Sequence, residues 1–124
     1  MNNLIIIAHP NRESFCYNGI FQTIKNTLLK NNEAIKVLDL YDDDFARPRT
    51  DLIQSYKEAV TWSNRIYIVS PVWWFRLTPR MEIFFDEVFT PGFAYNFIPL
   101  TKLYGYPKPL LSDKKVRTYL THGA

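Results

Sequence analysis

The run Leu4-Ile5-Ile6-Ile7-Ala8 carries no polar residue at odd or even positions. A strand with one wet face alternates apolar and polar residues, so a strand without that alternation is covered on both faces. Such double cover is typical of a central parallel strand between helices. A second run, Arg65-Ile66-Tyr67-Ile68-Val69-Ser70, reads as another buried strand. It is expected to end where Pro71 removes a backbone donor.

The segments between these runs fit the same plan. Phe15 to Lys30 repeats apolar residues at helical spacing (Ile20, Phe21, Ile24, Thr27, Leu28), with Ser14 as N-cap and Lys30-Asn31-Asn32 as stop. Ala34 to Leu40 reads as a second strand, and Thr50 to Asn64 as a helix. Pro79 suits the first turn of a helix running to about Phe89. Thr90 to Asp113, rich in proline and aromatics, reads as a long irregular segment. Lys115 to Leu120 reads as a fourth strand. The order β-α-β-α-β-α-β predicts one α/β domain over residues 1–124, a doubly wound open parallel sheet.

Charge and cysteine content narrow the function classes. The net charge is +3, but the cations are scattered and only Lys114-Lys115-Val116-Arg117 is clustered. That is no stripe for a nucleic acid, and no nucleic-acid partner is expected. No apolar run approaches the ~20 residues that cross a bilayer, so no membrane insertion is expected. The N-terminus lacks the basic flank and cleavage site of a signal peptide. Cys16 is alone, which rules out an internal disulfide and a cysteine metal cluster. Together these points predict a cytoplasmic protein. The acidic run Asp42-Asp43-Asp44 lacks the glycine and spacing of a calcium loop and reads as a solvated loop, so no metal is expected.

Open α/β sheets bind ligands beyond the carboxyl ends of their strands, at the switch point. Two segments fall there. His9-Pro10-Asn11-Arg12-Glu13-Ser14 follows the first strand and has no glycine. It is therefore neither a dinucleotide fingerprint nor a Walker loop. It is an ordinary polar turn, or one in which Arg12 and Ser14 help a helix N-terminus hold an anion. Pro71-Val72-Trp73-Trp74-Phe75 follows the third strand. Its aromatics either cap the core or receive a flat, largely apolar ligand.

In order and spacing, these residues resemble a known family, the flavodoxin-like NAD(P)H:quinone oxidoreductases. His9-Pro-Asn-Arg-Glu-Ser14-Phe15 is similar to their first flavin loop. Asp39-Leu40-Tyr41 with Phe45 and Pro48 is similar to their second-strand region. Pro71 to Phe75, with Pro79 and Asp86, resembles the second flavin loop and the helix after it. Gly92-Phe93-Ala94-Tyr95 resembles a further family segment, and Thr121-His122-Gly123-Ala124 the start of the third flavin loop. The resemblance covers essentially the whole chain. It implies a flavodoxin-like sheet of order 2-1-3-4, with the family's fifth strand missing and the domain incomplete at its C-terminus.

The resemblance also implies roles. The cofactor is FAD or FMN, and NAD(P)H is the co-substrate. The acceptor is a quinone-like small molecule, and the protein is a homodimer. His9, Ser14, Phe15 and Cys16 belong to the phosphate and ribityl side of the cofactor. Pro71, Val72, Trp73, Trp74 and Phe75 lie along the ring, and Thr121, His122 and Gly123 at its pyrimidine side. Trp74, Phe75, Tyr95 and Phe97 line the substrate pocket, which in the family is completed across the dimer interface. No catalytic side chain is singled out. Cys16 stands where the family often has Asn, and Glu87 where it carries Arg; Glu87 is expected to be an exposed helix position without consequence. The competing readings are a binding module, such as an ancillary subunit of a transport system, and a remnant without activity.

Overall fold

The structure is a computed structural model and describes residues 1–99 and 105–122. Its centre is β1 (Asn2–Ile7), in parallel register with β2 (Ala34–Asp39) on one side and β3 (Arg65–Trp73) on the other. On its far side β3 pairs in parallel with β7 (Lys115–Thr121). The parallel order is β2-β1-β3-β7, the expected 2-1-3-4 arrangement with β7 as the fourth parallel strand. A two-residue strand, β4 (Arg76–Leu77), folds back antiparallel on the end of β3.

The apolar run of β1 works as its composition requires. Leu4, Ile6 and Ala8 face α2 (Thr50–Trp62) and α3 (Pro79–Val88), packing with Tyr56, Val60, Met81 and Phe84. Ile5 and Ile7 face α1 (Phe15–Lys30), packing with Cys16, Phe21, Leu28 and Val69. The four β1 side chains from Leu4 to Ile7, and Ala8 just after the strand, are fully buried. Burying each contributes roughly 1.5–3 kcal/mol for the larger ones. α1 opens as a π-helical stretch, Phe15–Phe21, and continues as α-helix over Gln22–Lys30. Ser14 caps it as expected, its Oγ accepting from the Tyr17 N–H at 3.1 Å. Thr78 does the same for α3, with Pro79 in the first turn.

Two expectations are corrected here. The strand β3 does not stop at Pro71 but runs on to Trp73. The Val69 carbonyl accepts from the Ala8 N–H, toward β1. Pro71, two residues on, points to the same side, just past the end of β1. Its missing N–H therefore breaks no ladder bond. The segment Thr90 to Asp113 is not wholly irregular either. It contains an antiparallel ribbon of β5 (Tyr95–Pro99) and β6 (Gly105–Pro109). Every strand of a two-stranded ribbon is an edge, which is why it accommodates Pro99, Pro107 and Pro109.

Candidate functional site

The chain reverses its course across the sheet after β1, moving first to β2 and then to β3. The crevice at the carboxyl ends of β1 and β3 is therefore the switch point. Both segments singled out in the sequence meet there. The His9 ring lies edge-on to the Trp73 ring, with centroids 6.0 Å apart and planes at 77°. Pro71 stands in register with Thr121, which brings the end of β7 to the same rim.

The β3–β4 connection is the most unusual feature of that rim. Trp73 pairs with Arg76, so Trp74 and Phe75 alone form the turn. Both have positive φ, +53° and +65°. Two-residue hairpins require this of both central residues and normally use Asn-Gly or Asp-Gly. A non-glycine residue in the left-handed region costs about 1–2 kcal/mol. Trp74 and Phe75 are also 90% and 99% exposed, so packing within this chain returns nothing for that strain. Strained residues with exposed aromatic side chains at a ligand crevice point to a role outside the fold. The reading in which these rings cap the core does not hold for Trp74 and Phe75. Being turn residues, they also hold their N–H groups outside the ladder.

On the β1 side, His9 Nδ1 accepts from the Asn11 N–H at 3.0 Å. This leaves Nε2 as the protonated nitrogen of the neutral ring. Burial holds the His9 pKa below the usual histidine value. The native state thus binds fewer protons than the unfolded chain near pH 6. His9 should favour folding fully above about pH 6.5, and that support should fall away as the pH drops toward the lower native value. In His9→Asn the side-chain oxygen can still accept from Asn11. Urea melts of the wild type and this variant between pH 5 and 7 should show the slope only in the wild type.

Arg12 is not a free anion donor. It bonds to the Asp39 carboxylate and to Asp42 at 2.6 Å, and its guanidinium lies 4.7 Å from the Tyr17 ring centroid. Of the expected anion donors, the N–H groups of Phe15 and Cys16 at the start of α1 remain, since helix geometry gives them no acceptor and the Tyr17 N–H goes to Ser14. Ser14 Oγ accepts in the cap, and its O–H stays available to donate to an anion. Phe15 is 74% exposed and turns along α1, its ring resting on Gly19, where an added Cβ would sit 2.6 Å from Cδ2. Cys16 points into the core at 2% exposure. Burial pushes its thiol pKa up, against the pull of a hydrogen bond with Thr121. It is therefore a protonated packing group that ties α1 to β7, not a reactive thiolate.

Pro71 is buried and Val72 half-buried, while Trp73 is partly exposed. Thr121 is half-buried and His122 exposed. Tyr95 opens the β5–β6 ribbon, in register with Pro109. Gly123 and the Phe97 side chain lie outside the described residues. No group of three potential metal ligands occurs among the described residues, and none of their helices is long and apolar enough to cross a membrane.

The sequence reading missed a charge cluster behind the rim. Arg49 forks between two carboxylates. Its Nε and one terminal nitrogen each reach Glu87 at 2.8 Å, and its terminal nitrogens reach Asp43 at 3.1 and 2.8 Å. Arg80, from the first turn of α3, donates to the carbonyls of Leu40 and Asp43. The Phe45 ring lies between the two guanidinium groups, 4.1 Å from Arg49 and 4.0 Å from Arg80. The expectations for Glu87 and the acidic run are thereby corrected. Glu87 is an ion-pair partner rather than an idle exposed position. Asp43 leaves only 5% of its side chain exposed, and only its neighbours stay solvated. The Arg49 hydrogen bonds hold the Asp43 carboxyl below its usual range. Glu87 lies 38 residues from Arg49, and no local spacing signals such a pair.

Known proteins share this fold. A family described as having a flavodoxin-like fold matches residues 1–124. An uncharacterized NAD(P)H oxidoreductase of Haemophilus influenzae is 26% identical over 100% of this chain and 65% of its own length. Another from Bacillus subtilis is 30% identical over 77% of this chain and 46% of its own. The chain thus spans less than two thirds of the curated relatives it matches. A crystal structure from Streptococcus mutans superposes with a TM-score of 0.79 at 27% identity, over 98% of this chain and 68% of that one. An FMN-dependent NADH-azoreductase from Bacillus anthracis, crystallised with FMN, superposes at 0.70 and 18% identity, over 99% of this chain and 70% of that one. At that identity the likeness is one of fold.

Proposed function

Because this chain belongs to the flavodoxin-like fold family, we propose that it is a flavin-dependent oxidoreductase, carrying hydride from NAD(P)H to a quinone or similar acceptor in the cytoplasm. The observation that carries this reading is the Trp74-Phe75 turn. Two strained, fully presented aromatics stand at the switch point of the sheet. A flat ring with an anionic tail suits the crevice: aromatic faces and free N–H groups lie on the β3 side, and helix N-terminal N–H groups on the β1 side. We take FMN as the first cofactor to test, because a structural neighbour binds it; FAD is the alternative.

A bound flavin supplies two-electron chemistry, with hydride entering from NAD(P)H and two electrons leaving to the acceptor. The protein's share is placement. The N–H groups of Trp74 and Phe75 would stabilise negative charge on a reduced ring. The Trp74 and Phe75 side chains would form the wall against which nicotinamide and acceptor stack in turn. The first-turn N–H groups of α1 would hold the phosphate, with His9 Nε2–H as a further donor. Thr121, His122 and Gly123 would border the pyrimidine side. Tyr95 and Phe97 would close the acceptor pocket, with a second copy of the chain completing it.

The test is flavin retention followed by turnover. The purified chain, mixed with FMN and with FAD and then desalted, should keep about one flavin per chain and show flavin-dependent NAD(P)H oxidation with a quinone. Retention without turnover would leave a flavin-binding module. No retention of either flavin would end the proposal.

A further inference from the structure

We infer that Arg12 is a positioning residue for the anion end of the site. Held between the carboxylates of Asp39 and Asp42, it fixes the loop before α1 so that the Ser14 O–H and the N–H groups of Phe15 and Cys16 meet a flavin's phosphate. This rests on the redox reading above and adds to it the residues that shape one end of the cofactor site.

The loop from His9 to Ser14 takes its own shape from local bonds. The Asn11 N–H donates to His9 Nδ1 at 3.0 Å. The Asn11 side-chain oxygen accepts from the Glu13 N–H at 2.9 Å, and its carbonyl from the Ser14 N–H at 3.2 Å. Turns of this kind fold a loop but do not fix its place against the sheet. The contact of His9 with Trp73 steadies its start. Among the described residues, only Arg12 carries hydrogen bonds from this loop to the neighbouring strand and the turn beyond it. It donates to the Asp39 carboxylate, at the end of β2, and to Asp42 at 2.6 Å. Asp39 is itself held: its side chain is 11% exposed, and its other oxygen accepts from the Tyr41 N–H at 3.1 Å. The guanidinium also lies 4.7 Å from the ring centroid of Tyr17, whose N–H donates to Ser14. Arg12 thus bridges the end of β2 and the first turn of α1.

Charge argues against a direct grip on the phosphate. One guanidinium faces two carboxylates, so the group as a whole offers an anion no net attraction. What the bridge supplies is order, because binding groups work only when held within about 0.5 Å of their productive place. The two roles differ in sign at Asp39. Asp39→Asn removes a negative charge, and if charge alone governed the phosphate, it would bind more tightly. If the bridge positions the loop, the same change weakens it. Asp39 uses both oxygens as acceptors, whereas Asn has one and turns an NH2 donor toward either Arg12 or the Tyr41 N–H.

The test measures Kd for FMN and for riboflavin, which lacks the phosphate, by quenching of flavin fluorescence on the purified chain. Circular dichroism confirms that each variant is folded. The ratio of the two constants separates the phosphate from the ring. The wild type should prefer FMN. Asp39→Asn and Arg12→Met should each cut that preference about tenfold and change Kd for riboflavin less than about twofold. Asp42→Asn, at a carboxylate 74% exposed, should cut it about threefold, and decides the matter if the other two do not fold. A preference that is unchanged or larger in Asp39→Asn, or unchanged in Asp42→Asn, would overturn the role of Arg12 and leave the flavin reading standing. Equal losses for both flavins would do the same. A wild type that binds both flavins equally would take the phosphate away from α1, and this inference with it. A wild type that binds neither would overturn the redox reading itself.

Discussion

Trp74→Asn/Phe75→Gly should give a protein that is more stable than the wild type and poorer at passing electrons to a quinone. Asn-Gly is the pair that two-residue hairpins favour, because both central residues need positive φ. Trp74 and Phe75 hold φ at +53° and +65° against their own preferences. Relieving that strain, less the greater unfolded-state freedom of glycine, should be worth about 1 kcal/mol, a rise in Tm of about 3–6 °C for a chain of this size. The backbone N–H groups stay in place, so flavin retention should change little. The wall they carry is lost, and kcat/KM for the quinone should fall by about tenfold to a hundredfold. Thermal melts and steady-state kinetics on the same samples decide the matter. A variant that loses stability would show that the rings pack in some way within the chain. Unchanged turnover would remove Trp74 and Phe75 from the acceptor site.

The largest loss of stability is expected from Arg49→Met. The substitution keeps much of the side chain's bulk but leaves Asp43 and Glu87 without their cation. Asp43 is nearly enclosed, and Arg49 itself is only 11% exposed at the side chain, so solvent does little to screen the loss. Removing one partner of a buried pair typically costs about 3–5 kcal/mol. The cation between the carboxylates and the Phe45 face disappears as well. The pH dependence carries a matching signature. The Asp43 pKa is depressed in the native state, so its ion pair stabilises the fold above the unfolded carboxylate value, about 3.8. That contribution is lost as the pH falls through the lower native value. The gap in stability between wild type and variant should therefore be wide at pH 7 and shrink below about pH 4. Urea titrations at both pH values measure it. Arg49→Lys should recover only part of the loss, since one ammonium cannot fork between two carboxylates.

The cluster also shows why some of the site escaped the sequence. Arg49 stands at the cap before α2 and Glu87 lies on α3, and only folding brings them together. Alone, Glu87 reads as a charged residue on a helix surface, and Asp43 as one member of a solvated acidic run. The run of β3 past Pro71 escaped for a related reason. A proline ends a strand only where its N–H is required, and that depends on whether a neighbour is present at that level of the sheet. The β5–β6 ribbon was hidden by its prolines, which a two-stranded ribbon accepts and a central strand would not. Cys16 stood within a segment that resembled a flavin loop, yet the rotation of α1 turned its thiol inward to Val69 and Thr121.

By itself the sequence determined the layers of this protein. An unbroken apolar run demands cover on both faces, and amphipathic helices at the right intervals supply it. Alternation of strand and helix then leaves a parallel doubly wound sheet, whose switch point names the carboxyl ends of β1 and β3. Ser14 and Pro79 marked helix starts for local reasons that need no distant partner. Tertiary structure alone decided what depends on contacts between remote residues. It set the left-handed turn that lifts Trp74 and Phe75 into solvent and the pairing of Arg49 with two carboxylates. Periodicity records which side of an element is buried, a local property of the chain. Strain and ion pairing of this kind arise only when one element lies against another.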